Sequence, residues 1–319
     1  MRECLRKDSR YANARLGGKD IFASHLSGNV RGHLWECGID NAPLMLILPG
    51  FTEYCEKYVH IMKHLISLGF DCLSIDWPGQ GRSGHFGNDK LAVHCDDFET
   101  QIDSLQSLLE EAGWGNKSFH ILGHSMGGHL AILTAKRLPE KVLSMALSAP
   151  MMQPRQGPVF GVRLLASILT IAGRWRDFVP FTKIPSLADL SVFDPANSLT
   201  NDEAGYAWQI HWFEEAPELR RYGATVGWVA SAYRSVAHAT KNKNYLRYIT
   251  TPTLLLAAGE ESIVSNQAIR DAASSMPHAE LVEIANAKHE LLNETAAIDA
   301  ILWERLQSFW QGQSVPLIK

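Results

Sequence analysis

Gly123-His124-Ser125-Met126-Gly127-Gly128 joins the apolar run SFHIL (118–122) to HLAILTAKRL (129–138), a stretch of helical character. Gly-x-Ser-x-Gly between a strand and a helix is typical of a nucleophile elbow, a turn so tight that it lifts the serine above a sheet. Only glycine fits around such a turn, which accounts for the glycines that flank the serine. The segment therefore predicts a reactive Ser125 at the amino terminus of a helix.

Short apolar runs recur on both sides of this segment. They occupy residues 44–48, 72–75, 119–122, 145–147, 253–258 and 281–284. Such runs are too short for stable helices and are typical of parallel strands covered on both faces. Stretches with apolar residues at helical spacing lie between them, at 58–68, 98–109, 128–138, 267–275 and 296–309. The alternation predicts an α/β fold with a mostly parallel central sheet flanked by helices.

Residues 151–243 break this rhythm, because they lack clear strand runs and are punctuated by proline. They are rich in aromatic residues, namely Phe160, Trp175, Phe178, Phe181, Trp208, Trp212, Phe213 and Trp228. We expect a helical cap inserted over the carboxyl ends of the strands, with residues 1–150 and 244–319 forming the core. The candidates for contact with an apolar substrate are Trp175, Trp208, Trp212 and Phe213.

The composition is that of a soluble globular protein, with 319 residues, 46% hydrophobic and 20% charged. A formal net charge of −4 argues against a nucleic-acid-binding protein. The five cysteines are dispersed and form no Cys-x-x-Cys, which favours a reducing compartment. The amino terminus lacks the apolar core of a signal peptide, and the apolar runs are too short to cross a bilayer. We expect a cytoplasmic protein without an obligate protein partner, and leave peripheral membrane contact open.

A serine hydroxyl is a weak nucleophile that needs a base, and the base needs an orienting acid. Where an elbow serine is used, the acid and then the histidine follow it along the chain. His289 is the one histidine after the last apolar run, 281–284, and is the candidate base. Glu260 and Glu261 both follow the run 253–258, and either is a candidate for the acid.

An oxyanion hole needs two backbone N–H groups. Met126 supplies one candidate because it follows Ser125 directly. Phe51 supplies the other, in the loop Pro49-Gly50-Phe51 that follows the run 44–48. The alternative is that this loop is a plain turn at the end of a strand.

Three motifs carry a resemblance to a known family: GHSMGG (123–128), DWPGQGRSG (76–84) and AKHELLNE (287–294). The chain resembles the α/β-hydrolase superfamily, in the branch of monoacylglycerol lipases and bacterial lysophospholipases. DPANSLTNDE (194–203) and ATVGW (224–228) resemble the lysophospholipase side. The resemblance extends from about Phe22 onward, and it implies a Ser-His-acid hydrolase of carboxylic esters with a fatty acyl chain.

The chain departs from that family pattern at two positions. The family has His-Gly in the oxyanion loop where this chain has Pro49-Gly50, so the hydrogen bonding of the loop must differ. The family acid is usually Asp, in a pattern similar to G-E-D-x-I-V, and alignment of GEESIV (259–264) places Glu261 there. Glu260 remains the alternative.

The hypothesis is a cofactor-free serine ester hydrolase acting on a monoacyl lipid such as a lysophospholipid or a monoglyceride. The alternatives are a carboxylesterase or acyltransferase for smaller esters, and an inactive binding scaffold. No nucleotide-binding motif is present, and His60 and His64 do not complete the zinc motif H-E-x-x-H, so no cofactor or metal is expected. We expect both histidines on a surface helix face. We also expect the arginines of the cap at its solvated surface, with a lipid phosphate as the alternative partner: Arg174, Arg176, Arg220 and Arg221.

Overall fold

The computed structural model describes residues 3–12, 14–25, 28–155 and 168–318 of the chain. The described residues form an eight-stranded sheet in the order β1-β2-β4-β3-β5-β6-β7-β8. Its strands are β1 (Lys19–His25), β2 (Gly28–Trp35), β3 (Leu44–Leu48), β4 (Asp71–Ile75), β5 (Phe119–His124), β6 (Val142–Ser148), β7 (Thr253–Ala258) and β8 (Ala279–Ile284). The strand β2 is antiparallel to both of its neighbours, and the other adjacent pairs are parallel.

Helices cover both faces of this sheet. They are α1 (Glu3–Lys7), α2 (Ser9–Ala12), α3 (Val59–Ser67), α4 (Phe98–Glu111), α5 (Met126–Arg137), α6 (Leu187–Leu190), α7 (Glu203–Glu215), α8 (Val226–His238), α9 (Lys243–Arg247), α10 (Asn266–Ala273) and α11 (Ala296–Gly312). Short 3₁₀ turns occupy Cys55–Tyr58, Pro217–Leu219 and Leu291–Asn293. The predicted α/β fold with a mostly parallel sheet is confirmed.

The central strands β3, β5 and β7 are buried on both faces, as the apolar runs predicted, whereas the edge strand β8 is half-buried or exposed except at Ile284. Alternate residues of β3 enter two different hydrophobic clusters: Leu46 belongs to one, while Met45 and Ile47 belong to the other. Because successive side chains of a strand point to opposite faces, the two clusters lie on the two sides of the sheet. Burial on both faces explains why β3 reads as a continuous apolar run.

The antiparallel pair β1 and β2 has no counterpart among the predicted strands. Arg31 and His33 interrupt the apolar pattern of β2, although both side chains are buried. The Arg31 guanidinium is accommodated because it lies 2.9 Å from a carboxylate oxygen of Glu56 and 3.0 Å from one of Asp76. A buried ion pair inside a strand removes the hydrophobic signal by which strands are recognised.

The segment between β6 and β7 is helical in the described residues, with α6 to α9 and without a strand of the sheet. Its helix α8 packs into the main core, since Trp228 and Val236 belong to the same cluster as Leu46. Phe160 lies outside the described residues. The division into a core and a cap at residues 150 and 244 stays a prediction. Across the described ranges, no helix is long and apolar enough to cross a membrane.

Strand register brings four loops together at one edge of the sheet. Leu48 at the end of β3 is paired with Gly123 in β5. At the other side, Ala258 at the end of β7 is paired with Ile284 at the end of β8. Because these strands are parallel, the loops that follow them emerge at their common carboxyl edge, where ligands bind in open α/β sheets.

Candidate active site

The elbow between β5 and α5 is the tight turn that its sequence predicted, and its backbone is strained at Ser125. Ser125 has φ 51° and ψ −115°, a combination that non-glycine residues rarely adopt. A Cβ atom on Gly127 would lie 1.9 Å from the Leu48 carbonyl oxygen, and one on Gly123 would lie 2.9 Å from the Gly127 oxygen. Both glycines are therefore required by close backbone contacts. The turn places Ser125 immediately before the first turn of α5.

Three predicted residues meet at the carboxyl edge of the sheet. The Ser125 Oγ atom lies 2.9 Å from Nε2 of His289, and His289 Nδ1 lies 2.8 Å from Oε2 of Glu261. Ser125 follows β5, Glu261 follows β7 and His289 follows β8. A hydroxyl bonded to an imidazole that is itself bonded to a carboxylate is the arrangement that activates a serine nucleophile. The catalytic roles of the three residues stay predictions.

Glu261, and not Glu260, contacts the histidine. Glu261 is buried, and its Oε1 atom accepts hydrogen bonds from the backbone N–H groups of Ile263 at 2.7 Å and Val264 at 3.2 Å. Burial alone would raise the pKa of this carboxyl, but the contact with His289 and the two N–H groups outweigh it and hold the pKa below its usual value. The Glu260 side chain is exposed. Glu261 is therefore ionised at neutral pH and directed at His289.

The two predicted oxyanion donors follow the carboxyl ends of two neighbouring strands, β3 and β5. Phe51 follows β3 by three residues, and Met126 is the first residue of α5. No acceptor in the described part of the chain takes a hydrogen bond from either backbone N–H group. The Phe51 ring packs against Trp228 of α8, with ring centroids 4.3 Å apart. Both N–H groups are thus free to donate, and their role in an oxyanion hole stays a prediction.

Side chains of two neighbouring segments hold the loop after β3. The carbonyl oxygen of Pro49 accepts a hydrogen bond from Trp77 Nε1 at 2.9 Å, and that of Gly50 accepts one from Gln80 Nε2 at 3.0 Å. The Gly50 N–H donates to the carboxylate of Glu53. Pro49 has neither an N–H nor a polar side chain and cannot donate a hydrogen bond. The bonds from Trp77, Gln80 and the Gly50 N–H therefore hold this loop, in which the family pattern has His-Gly.

A buried charge cluster beside this loop escaped the sequence analysis. The Lys57 ammonium lies 2.7 Å from a carboxylate oxygen of Glu53 and 2.7 Å from one of Glu290. All three side chains are buried. Burial raises the pKa of Glu53, but the attraction of Lys57 and the hydrogen bonds from Lys57 and Tyr58 act together against it, so the pKa lies below its usual value. Two features of the sequence could have indicated this cluster. Glu53 and Lys57 have the i,i+4 spacing of an ion pair, and Glu290 is next to His289.

His124 lies next to His289, the candidate base, and the centroids of the two rings are 5.0 Å apart. Its complete burial lowers the pKa to about 4, despite the opposing attraction of Glu53. His124 is therefore neutral at pH 7. A neutral ring at this distance does not oppose a positive charge on His289.

Comparisons with known proteins assign the chain to a family. The family model of hydrolases described as serine aminopeptidase, S33, matches residues 40–296. The chain belongs to this family. It is a serine hydrolase of the α/β-hydrolase fold, as the sequence predicted.

Similarity to individual known proteins is modest. The chain is 29% identical over 286 residues to lysophospholipase L2 of Escherichia coli strain K12, covering 86% of this chain and 82% of that protein. It is 25% identical over 166 residues to a monoacylglycerol lipase of Mycolicibacterium smegmatis, covering 51% and 55%. A soluble variant of monoglyceride lipase from Saccharomyces cerevisiae shares the fold, with a TM-score of 0.73, 16% identity and coverage of 94% and 97%.

Two of the four aromatic candidates in the cap pack deeply in this hydrolase. Trp208 donates from Nε1 to the carbonyl oxygen of Lys57 at 2.9 Å, and its ring packs against Tyr11 at 5.2 Å between centroids. Phe213 packs against Tyr54 at 5.6 Å. These contacts fasten α7 to the core. Contact of either residue with substrate stays a prediction.

The other two candidates are half-buried. Trp212 packs edge-on against Trp208, with centroids 5.4 Å apart, and Trp175 packs against His94 at 5.6 Å. The Trp212 Nε1 atom is buried without a hydrogen-bond partner in the described residues. Their proposed contact with an acyl chain also stays a prediction.

The expectation of a solvated surface is wrong for Arg221. Its guanidinium is buried and donates to the carbonyl oxygens of Gly79 at 3.2 Å, Gly81 at 3.0 Å and Gly84 at 2.8 Å. The five N–H donors of an arginine can replace water only where several acceptors converge, and the turn 76–84 supplies them. Arg174 and Arg176 are exposed, as expected.

The predicted surface position is also wrong for His60. Its side chain is buried, Nε2 lies 3.1 Å from the Leu292 carbonyl oxygen, and its ring packs against Tyr11 at 4.8 Å. The helix face carrying His60 is covered by α2 and by the segment after His289, which the local sequence could not reveal. Within the described ranges, no group of three or more His, Cys, Asp or Glu residues could hold a metal ion.

Proposed function

We propose that the chain hydrolyses carboxylic esters of monoacyl lipids, with Ser125 as nucleophile, His289 as general base and Glu261 as the acid that orients it. The observation that carries this proposal is the continuous hydrogen-bonded series Ser125–His289–Glu261, with links of 2.9 and 2.8 Å. Each link has the length needed for proton transfer or for orientation of the imidazole.

In the first half-reaction, Ser125 Oγ attacks the ester carbonyl carbon while His289 Nε2 takes the hydroxyl proton. Ionised Glu261 accepts the Nδ1–H bond and stabilises the imidazolium that forms. The backbone N–H groups of Phe51 and Met126 donate to the carbonyl oxygen as it becomes negatively charged. Collapse of the tetrahedral intermediate breaks the ester C–O bond, and His289 gives the proton to the departing alcohol.

In the second half-reaction, water attacks the acyl-Ser125 carbonyl. His289 takes a proton from that water, and the same two N–H groups hold the oxyanion. Collapse releases the fatty acid, and the proton returns to Ser125. The cycle needs no metal or organic cofactor, since His289 carries every proton.

Two observations support a monoacyl lipid as the substrate class. The first is the similarity to a lysophospholipase and to a monoacylglycerol lipase. The second is a set of exposed apolar side chains in the cap: Ile171 is 89% exposed, Phe181 100% and Val192 69%. Exposed apolar groups that insert into a lipid surface would bring the enzyme to substrates dissolved in it.

The substrate experiment compares kcat/KM across p-nitrophenyl esters of increasing acyl length, lysophosphatidylcholine, monoacylglycerol and an amino-acid p-nitroanilide. We expect the rate to rise with acyl length and to be high on one of the two monoacyl lipids. A preference for acetate esters would instead favour a carboxylesterase. Cleavage of the anilide in preference to every ester would contradict the proposal.

Membrane contact is tested by sedimentation with phosphatidylglycerol vesicles. Ile171→Ser combined with Phe181→Ser should reduce the bound fraction several-fold, because each removes exposed apolar surface. Ile301→Ser is the matched control. Ile301 is 46% exposed, but it lies on α11, outside the predicted cap. Equal loss of binding in both proteins would exclude the cap as the contact surface.

A further inference from the structure

We propose that Gln80 is a positioning residue that fixes the direction of the Phe51 N–H group, and that turnover depends on its side-chain amide. The proposal rests on the proposed function, because it concerns the oxyanion hole of that reaction. Gln80 lies in the turn 76–84, which the sequence analysis used only as a family motif. It is fully buried.

All the polar atoms of the Gln80 side chain are engaged with the loop after β3. Nε2 donates to the carbonyl oxygen of Gly50 at 3.0 Å and to that of Glu53 at 3.2 Å. Oε1 accepts from the backbone N–H of Thr52 at 3.0 Å. Two acceptors on one side and a donor on the other leave one orientation of the amide that satisfies every bond. One buried side chain thus spans residues 50–53.

The bond to Gly50 determines where the next N–H points. The Gly50–Phe51 peptide bond is trans, so its C=O and N–H lie in one plane and point in opposite directions. Gln80 makes the shorter of two hydrogen bonds to the Gly50 carbonyl, at 3.0 Å against 3.4 Å from the Glu53 N–H, and the Phe51 N–H therefore points away from Gln80. Rotation of this peptide plane would redirect the N–H and cost the Gln80–Gly50 hydrogen bond.

The loop would not keep this shape unaided. Thr52 has φ 65°, and a β-branched residue in the left-handed region is a conformational outlier. Such strain persists only where surrounding contacts enforce it, and it is concentrated at functional sites. Two hydrogen bonds hold Thr52 here: its N–H donates to Gln80 Oε1 at 3.0 Å, and its hydroxyl donates to the Phe51 carbonyl oxygen at 2.6 Å.

The held peptide also lies against the elbow. A Cβ atom on Gly50 would lie 3.2 Å from the ring of His124, and one on Gly127 would lie 2.6 Å from the Pro49 carbonyl oxygen. The loop and the residues on either side of Ser125 are therefore in direct contact. A shift of the loop changes the geometry at Ser125, because these contacts leave no space to absorb it.

The test compares Gln80→Glu and Gln80→Leu with the unmodified enzyme on p-nitrophenyl butyrate. The glutamate has the shape of glutamine but sets an oxygen against the carbonyl oxygens of Gly50 and Glu53. Gln101→Leu is the matched control, because Gln101 is also buried but lies on α4, where it donates to Cys95. Inhibition by a trifluoromethyl ketone is measured in parallel, since its adduct with a serine carries an oxyanion.

We expect both Gln80 variants to lower kcat on the order of 10- to 100-fold, because a misdirected oxyanion donor should cost no more than the roughly 100- to 1000-fold loss that follows removal of a donor. KM should change by less than about threefold. The ketone should bind more weakly by a similar factor, and Gln101→Leu should change neither quantity. A Gln80→Glu enzyme with unchanged kcat and unchanged ketone affinity would overturn the inference. If Ser125→Ala kept its activity, the proposed function itself would fail. This outcome differs from the one that overturns the inference about Gln80, in which only the Gln80 variants keep full activity.

Discussion

The Nε2 atom of His289 lies 2.9 Å from the Oγ atom of Ser125, although 164 residues separate them in the chain. The parallel sheet accounts for this contact, since β5 and β8 both deliver their following loops to one edge. At this distance the imidazole can take the proton of the hydroxyl, as the proposed mechanism requires.

Because the backbone at Ser125 is strained, a substitution that abolishes activity can at the same time raise the free energy of unfolding. Ser125→Gly and Ser125→Ala should both abolish esterase activity, but the glycine variant should be the more stable by about 1 kcal/mol. Glycine tolerates φ 51° and ψ −115°, whereas alanine retains the strain. Urea unfolding of the two variants measures the difference. An alanine variant as stable as the glycine variant would show that the elbow stores no strain.

The two adjacent glutamates should differ sharply. Glu261→Gln should lower kcat on the order of 10³- to 10⁴-fold, because the amide lacks the charge that stabilises the imidazolium and can bind the wrong tautomer. Glu261→Asp should also lower kcat, since the shorter side chain does not reach His289 from the same backbone. Glu260→Gln is the matched control, because Glu260 is exposed. A larger effect at Glu260 on steady-state kcat would reject the assignment.

Lys57 should be needed for stability because it separates two buried carboxylates. Lys57→Met leaves Glu53 and Glu290 without their shared cation and should lower the free energy of unfolding by about 3–5 kcal/mol. Adding Glu290→Gln should restore part of this loss. Arg137→Met serves as the surface control, since Arg137 bonds Glu99 and Asp103 at an exposed site and should cost less than about 1 kcal/mol. Equal effects of the two single variants would contradict the burial argument.

The buried His129 should make the fold sensitive to acid. Burial lowers the pKa of His129 to about 3, whereas an unfolded histidine titrates near 6.5. Below about pH 6.5 the unfolded chain takes up a proton that the folded one does not, so the free energy of unfolding falls until about pH 3. His129→Gln should reduce this slope by about 1.4 kcal/mol per pH unit. An unchanged slope in urea titrations between pH 6 and 4 would contradict it.

Much of the fold is readable from the sequence because most of its parallel strands contain a short apolar run. The bounds of β3 and β7 coincide with the apolar runs, since both strands are buried on both faces. The strand β2 was not readable, because Arg31 sits inside it and is stabilised by carboxylates of other segments, namely Asp20 of β1, Glu56 and Asp76. In the sequence alone, a charged residue predicts a solvent-exposed position. Only the folded structure shows the partners that allow it to be buried.

The same limit applies to the candidate site. Ser125 and His289 are found by sequence because a motif and a chain order define them. Gln80 is not, because its role depends on three contacts with a loop that lies about thirty residues earlier in the chain. Lys57 also escapes notice, since a lysine on an amphipathic segment ordinarily faces solvent.

The most direct test of the account is covalent labelling of the intact protein by a fluorophosphonate, followed by peptide mass spectrometry. Ser125 Oγ should displace fluoride at phosphorus, with His289 taking the hydroxyl proton, and one phosphonyl group should appear on the peptide that contains Ser125. Ser125→Ala should remain unlabelled, and labelling should abolish ester hydrolysis in proportion to its extent. Labelling at another serine, or full hydrolysis by protein labelled at Ser125, would contradict the central claim.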